Sequence, residues 1–191
     1  MNLLHYFVVK LPKLFNDEIS MGDQTIFIET KFNEFDHRVN EGEVVHVPLK
    51  YDTPVNPGDT LYFHHNVVMN GGMPFAEYKD HYLVSYDEKV AVNCHAYAYR
   101  PKGSEEIIPL GLWSLLSPCF EEEIEESFVE TVNFKTAERK TGVVAGMNTS
   151  TMNLGLNIGD VVGFKKNMDY SFKVDDKEYF RTRAEDLLYA V

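Results

Sequence analysis

The chain has 191 residues, of which 44% are hydrophobic and 25% are charged, as in folded globular proteins rather than disordered ones. Its 30 Asp and Glu residues outnumber 18 Lys and Arg residues, which gives a formal net charge of −12. A surface this negative repels nucleic-acid phosphates and anionic lipids, so we expect neither nucleic acid nor a membrane among its partners.

The N-terminal segment is expected to form the first β-strand. It contains apolar side chains at Leu3, Leu4, Phe7, Val8 and Val9. No basic residue precedes them and no small-residue cleavage site follows, so the segment does not resemble a signal peptide. Apolar runs further along, such as 110–116, are too short to span a bilayer. The two cysteines, Cys94 and Cys119, form no CxxC pair and are expected to be buried, reduced thiols.

An internal repeat organises the rest of the chain. Its central motif is an apolar residue, Asn, any residue, Gly and Asp, followed by a β-prone run that ends in Phe. A similar strand precedes each copy, and an acidic turn with a short apolar strand follows it. The three pairs of matching segments are 42–47 and 141–146, 55–63 and 156–164, and 82–92 and 179–191. Three matches in the same order and at a nearly constant offset indicate a duplication.

The residue types of the repeat predict β-structure. Gly58 and Gly159 suit the positive φ of a tight turn, and the Asp that follows each can accept hydrogen bonds from neighbouring backbone amides. The runs 60–63 and 161–164 are rich in β-branched and aromatic residues, as half-buried strands are. Neither half contains a long apolar stripe with helical spacing. The sequence therefore predicts an all-β protein.

The stretch 100–106 is rich in Pro, Gly, Ser and charge, which is typical of a linker. We therefore predict two domains, 1–100 and 101–191. Each has about 90 residues, a size at which a single small β-barrel can hold a modest core. Barrels of this kind close on themselves and leave few exposed strand edges.

Several of these motifs resemble the GroES co-chaperonin family. The second copy is similar to the closing half of that family at 156–164, 177–180 and 185–191. The first copy is similar to its opening half, with a Leu-His start that ends at Lys10 and the strand Gly42-Glu43-Val44. The likeness covers most of the chain in short motifs. It implies two tandem GroES-like small β-barrels, with no cofactor and no catalysis of their own.

The resemblance also implies a binding site. In the family, a long mobile loop between the first two strands carries a hydrophobic tripeptide that docks on the rim of a chaperonin ring. The corresponding stretch is 12–40, and its three-residue apolar peak is Ile26, Phe27 and Ile28. In the second copy the loop is 120–140, with Phe128 and Val129 as the weaker candidate. Burying three side chains yields roughly 4–8 kcal/mol before ordering costs, so we expect a homo-oligomer that presents several loops at once.

The short roof intervals and the tandem arrangement indicate which members of the family the chain resembles most. Cellular members have a roof hairpin between the strand 42–47 and the Gly-Asp turn, whereas the intervals here, 49–56 and 147–156, are too short for one. A reduced roof resembles phage-encoded co-chaperonins, and a tandem arrangement resembles the two-domain plastid form. The resemblance therefore implies a cytoplasmic co-chaperonin, in the host cytoplasm if the protein is viral.

Metal binding and catalysis are two other functions that the residues could suggest. Five histidines invite a metal site, at His46, His64, His65, His81 and His95. Neighbouring residues on a strand point to opposite faces, so His64 and His65 should not bind one ion, and we expect no metal. GroES-like barrels also occur in alcohol dehydrogenases, but the chain has no GxGxxG motif, no Cys-rich zinc spacing and no signature of a catalytic triad. We therefore do not expect an enzyme.

Three alternatives stay open from the residues alone. The alternating pattern at Ile26, Phe27 and Ile28 also fits an ordinary strand, which would leave no docking tripeptide. A virion structural or assembly protein could reuse the same barrel, because a fold does not fix a function. A small-molecule-binding barrel is a third possibility and would require a sizeable apolar pocket.

Overall fold

A computed structural model describes residues 3–21, 24–30, 37–68, 73–75, 78–119, 139–168, 170–175 and 177–191. The chain divides into two compact units, unit 1 (Met1–Gly111) and unit 2 (Leu112–Val191). The described residues form mainly β-strands, with short 3-10 turns and the four-residue α-helix Thr149–Met152. The prediction of an all-β protein is therefore confirmed.

Unit 1 contains one six-stranded antiparallel sheet and a separate hairpin. Its described strands are β1 (Tyr6–Lys10), β2 (Glu18–Met21), β3 (Gln24–Phe27), β4 (Glu41–His46), β5 (Thr60–Phe63), β6 (His81–Ser85), β7 (Ala96–Arg100) and β8 (Ile108–Pro109). The order in the sheet is β6-β1-β4-β5-β7-β8. Strands β2 and β3 pair only with each other in these ladders.

Unit 2 contains the second six-stranded antiparallel sheet. Its described elements are β9 (Trp113–Pro118), β10 (Arg139–Gly146), α1 (Thr149–Met152), β11 (Val161–Lys165), β12 (Tyr170–Val174), β13 (Lys177–Arg183) and β14 (Leu187–Ala190). The order in the sheet is β12-β13-β9-β10-β11-β14.

The two sheets share one five-stranded arrangement. The order β6-β1-β4-β5-β7 in unit 1 corresponds strand by strand to β13-β9-β10-β11-β14 in unit 2. Each unit then adds a sixth strand at a different edge, β8 beside β7 and β12 beside β13. This is the relation that a duplicated sequence predicts. Within the described ranges each ladder begins and ends at a different strand, so neither described sheet closes on itself.

The Gly-Asp turn of the repeat has the same hydrogen bonds in both units. In unit 1, the Gly58 N–H donates to the Val44 C=O and the Val44 N–H donates to the Asp59 C=O, each at 2.8 Å. The matching bonds of Val144, Gly159 and Asp160 in unit 2 are 2.9 Å long. Both glycines have the positive φ expected of them, at 93° and 95°. The turn therefore joins the ends of two neighbouring strands in each sheet.

The aspartate carboxylate closes the turn from the inside. In unit 1, Oδ2 of Asp59 accepts a hydrogen bond from the Asn56 N–H at 2.8 Å. In unit 2, Oδ2 of Asp160 accepts one from the Asn157 N–H at 2.7 Å. Asp59 is buried and its Oδ1 also accepts from the Lys102 N–H at 2.9 Å, which ties the turn to the segment after β7.

A glycine at the same place in each repeat allows two strands to approach closely. A Cβ on Gly42 would lie 2.5 Å from Cδ2 of Leu11, which is itself buried. A Cβ on Gly142 would lie 3.0 Å from Cβ of Leu116 and 3.1 Å from the Ser117 carbonyl oxygen. Both contacts are tighter than ordinary packing, so only glycine fits without displacing a neighbour.

Each unit has its own apolar core. In unit 2, buried Leu116, Val144, Val162 and Phe164 pack together, and the half-buried side chains of Met147, Leu156, Phe180 and Leu187 cover them. In unit 1, the buried side chains of β1 and β5 include Phe7, Val9, Leu61, Tyr62 and Phe63. These strands are the ones that the apolar runs of the sequence predicted.

The structure differs from the sequence-based picture at three points. The closing strand of the first copy is β7, because 90–92 runs into a 3-10 turn (Ala91–Asn93) and does not form a strand. The stretch 100–106 is a turn between β7 and β8, with Ser104 N–H donating to Pro101 C=O, and unit 1 continues to Gly111. Cys94 is buried as expected, but Cys119 is only half-buried.

The short intervals before each Gly-Asp turn contain no strand, as their length predicted. Residues 47–59 are irregular, and 147–160 contain only the single-turn helix α1. None of the helices among the described residues is both long enough and apolar enough to cross a membrane.

The extra hydrogen bond of Asp59 leads to a difference between the two units. We expect Asp59→Ala to lower the free energy of unfolding of unit 1 by about 3 kcal/mol, because two backbone amides lose a charged acceptor. Asp160→Ala should cost unit 2 about 1.5 kcal/mol, because one amide is affected and the site is half-exposed. Hydrogen exchange in denaturant resolves the two units, and the fluorescence of Trp113, the single tryptophan, reports on unit 2. Equal losses in the two units would contradict this account.

Candidate functional site

The stretch predicted to be a docking loop leaves the unit 1 sheet as an antiparallel stem. It begins after β1 and returns at β4. Near the sheet, Phe15 and Arg38 form a β-bridge. The Asn16 N–H donates to the His37 C=O at 2.6 Å, and the Val39 N–H donates to the Leu14 C=O at 2.9 Å. The stem thus holds the two ends of the projecting segment together.

Beyond the stem, the chain continues as the β2–β3 hairpin. Its register pairs Glu18 with Phe27 and Met21 with Gln24. The Ile28 N–H donates to the Asp17 C=O at 2.7 Å, which extends the ladder towards the stem. We call 14–30, without the undescribed 22–23, the docking hairpin.

The apolar peak of the docking hairpin is accessible to solvent. All four residues of β3 are exposed, with Ile26 46% and Phe27 73% exposed, whereas Ile28 is half-buried. Since neighbouring strand residues point to opposite faces, Ile26 and Phe27 lie on different sides of the hairpin. The segment is therefore a strand, as the alternating pattern allowed, but it lies outside the six-stranded sheet.

Acidic side chains flank the apolar peak. Glu18 and Glu29 are exposed on the docking hairpin, and Asp17 is half-buried beside them. A short two-stranded ribbon has little core of its own, so the backbone ladder and the stem provide its order. The hairpin thus has a small exposed apolar surface with acidic residues at its margin.

A depression lies where the stem joins the sheet. Its volume is about 400 Å³, and its lining includes Lys10, Lys13, Asn16, Glu41 and Glu43. Two lysines and two glutamates give the wall a mixed charge. Apolar as well as charged groups line the depression, but it is open to solvent and does not enclose a ligand as a typical small-molecule pocket does.

The second predicted docking segment, 120–140, lies almost wholly outside the described residues. Its two candidate residues, Phe128 and Val129, lie outside them as well. The last two residues of that stretch, 139–140, begin β10.

His64 and His65 do not lie on one strand, contrary to the expectation from the sequence. His64 follows β5 and His65 begins a 3-10 turn (His65–Val68), so the two do not alternate along a strand. Their ring centroids are 4.4 Å apart, and the ring of His95 is 6.0 Å from that of His64. Within the described ranges, no group of three or more His, Cys, Asp or Glu side chains is arranged to hold a metal ion.

A second depression of about 400 Å³ brings together residues that the sequence did not connect. Its lining includes His5, Ser85, Tyr86, Asp87 and His95. Ser85 Oγ lies 2.9 Å from Nδ1 of His95, and the His95 N–H donates to the Ser85 C=O. The two residues are ten positions apart and meet only because the chain folds back after β6, so no local motif could have revealed the pair.

Two side chains of this depression, Tyr86 and Asp87, have pKa values that are shifted for structural reasons. Burial raises the pKa of Tyr86 well above its ordinary value. The pKa of Asp87 is lowered, chiefly because its carboxylate accepts a hydrogen bond from the Lys89 N–H, and also one from the Val90 N–H. Asp87 thus shapes the acidic turn that the sequence predicted, and its Oδ1 is engaged by backbone amides.

No protein-family model matches the chain, and no curated protein matches it. A function therefore has to be inferred from its own residues and geometry. The docking hairpin is the strongest candidate site, because it projects from the sheet and exposes large apolar side chains.

Exposure on the hairpin can be tested with a matched pair of phenylalanines. We expect Phe27→Ala to change the free energy of unfolding by less than about 0.5 kcal/mol, because the ring is mostly in solvent. Phe63→Ala, at a fully buried position of β5, should cost about 3–5 kcal/mol. Denaturant unfolding followed by hydrogen exchange of unit 1 measures both. A loss above 2 kcal/mol for Phe27→Ala would mean that the ring is buried.

Proposed function

We propose that the chain is a co-chaperonin of the GroES type: two tandem GroES-like small β-barrels that form an oligomeric lid on a chaperonin ring. The ring would hydrolyse ATP and this chain would perform no chemistry. The observation that carries the proposal is the exposure of Ile26 and Phe27 on a hairpin outside the six-stranded sheet.

The family resemblance implied a mobile loop at 12–40, whereas the described part of that stretch is a paired hairpin. An ordered hairpin is also compatible with a docking role. A large apolar side chain held in water gains roughly 1.5–3 kcal/mol when a partner buries it. Much of that gain is lost if the segment must first become ordered. Here the stem bonds of Asn16 and Val39 and the β2–β3 ladder already fix the backbone, so less of the gain is spent on ordering.

The acidic margin indicates the chemistry of the partner surface. Glu18 and Glu29 flank the apolar peak, and opposite charges across an interface speed the encounter and set its orientation. We therefore expect an apolar groove on the rim of the ring with basic residues at its edges. Each such contact is weak, and several copies in a lid would combine them.

The shared order of five strands and the absence of a strand in 47–59 and 147–160 support a tandem arrangement with a reduced roof. The open ladders of the described residues leave barrel closure as part of the proposal.

Capture by a chaperonin tests the proposal. We expect a GroEL-like ring with bound nucleotide to retain the parent chain. Retention should fall at least ~tenfold for at least one of two variants, Phe27→Ser and Ile26→Ser combined with Ile28→Ser. Val92→Ser is a matched control, because Val92 is 83% exposed in unit 1 but lies outside the docking hairpin. It should bind as the parent does.

Comparison of the two hairpin variants shows which face docks, because Ile26 and Phe27 lie on opposite sides. If both variants are retained as well as the parent, the assigned contacts are wrong. If no ring retains the parent and it instead cofractionates with purified virus particles, the structural or assembly alternative replaces the proposal.

A further inference from the structure

The segment that joins β10 to β11 has an inner and an outer side. Met147 and Leu156 pack against the core of unit 2, and Thr151 is fully buried. Three large apolar side chains are instead exposed, Met152 by 54%, Leu154 by 57% and Ile158 by 60%. We call these three residues the β10–β11 patch.

Polar contacts below the patch hold it in place. Ser114 Oγ and Thr151 Oγ1 are buried and 2.8 Å apart. The side-chain oxygen of Asn148 caps α1 by accepting from the Thr151 N–H at 2.8 Å, while the Asn148 N–H donates to Ser114 Oγ at 3.2 Å. The Leu154 N–H donates to the Thr151 C=O at 3.1 Å. The exposed side chains therefore project from an ordered turn.

The corresponding segment of unit 1 shows that the fold does not need this patch. Residues 47–58 carry charges at Lys50 and Asp52, and Leu49 is their one exposed large apolar side chain. Residues 147–159 carry no formal charge at all. Two copies of one arrangement thus differ at the same place, where the second carries no charge and has more exposed apolar side chains.

We propose that the β10–β11 patch is a contact between copies of this chain. At a net charge of −12, two copies repel each other over most of their surface. An uncharged apolar segment is where they can meet with the least repulsion. Around a two-fold axis the patch would pair with itself, so each copy supplies the surface that the other needs.

Three side chains are far fewer than the 20–30 residues a side of a standard stable interface, roughly 800 Å² per partner. The contact alone is therefore weak and depends on concentration. Salt strengthens it, because screening reduces the repulsion between copies while leaving the apolar contact intact. The inference uses no residue of the docking hairpin and holds whether or not a chaperonin is the partner.

Sedimentation velocity of the whole chain tests this contact. The parent's average mass should rise with protein concentration, and it should rise further between 50 and 500 mM NaCl, values chosen as roughly a threefold change in Debye length. Met152→Ser combined with Ile158→Ser should weaken association at least ~tenfold. Leu49→Ser, at 58% exposure in the matching segment of unit 1, is the control and should associate as the parent does.

A second variant keeps the test decisive if the double substitution perturbs folding. Leu154→Glu places a negative charge from each copy in the contact, so association should be lost at 50 mM NaCl. At 500 mM NaCl part of the association should return, because salt screens the repulsion. The fluorescence of Trp113, buried in unit 2, reports whether each variant is folded. The proposal is overturned if the parent stays monomeric throughout, or if folded patch variants associate as the parent does. Hairpin variants should associate normally even if they no longer bind a chaperonin.

Discussion

The carboxylate of Asp59, with its equivalent Asp160, is the contact on which the rest of the fold depends. Each accepts a hydrogen bond from the backbone three residues earlier and so fixes a turn whose glycine has a positive φ. The same turn bonds back to the preceding strand through Val44 or Val144. One short motif thereby sets the pairing of two central strands in each unit, and the other strands of the sheet are arranged around that pair.

Because the turns fix the central strands, the connections between strands can differ without disturbing the sheet. The connection from β1 to β4 in unit 1 carries the docking hairpin. The connection from β10 to β11 in unit 2 carries the β10–β11 patch. Both expose large apolar side chains, at Phe27 and at Met152 for example, although the chain buries many others in its sheets. Proposed binding surfaces therefore lie on the variable connections, as is usual for loops on a rigid scaffold.

Charge links the two proposals. A formal net charge of −12 opposes any contact between copies, yet the proposed lid needs several copies acting together. The uncharged β10–β11 patch and the acidic docking hairpin concern different contacts. The first lowers the repulsion between copies, and the second favours a partner with basic residues around an apolar groove.

The sequence by itself determined the all-β class and the two Gly-Asp turns, because each depends on residues within a few positions of one another. It also determined the duplication, because the matching segments recur in the same order at a nearly constant offset. It also located Ile26 and Phe27 as an apolar peak. Only the tertiary structure decided that these side chains are exposed while Tyr62 and Phe63, in a similar apolar run, are fully buried. Burial depends on which distant segments cover a strand, and β5 lies between β4 and β7 whereas β3 pairs with β2 alone. The contact of Ser85 with His95 was hidden for the same reason, since it exists only where the folded chain brings the two together.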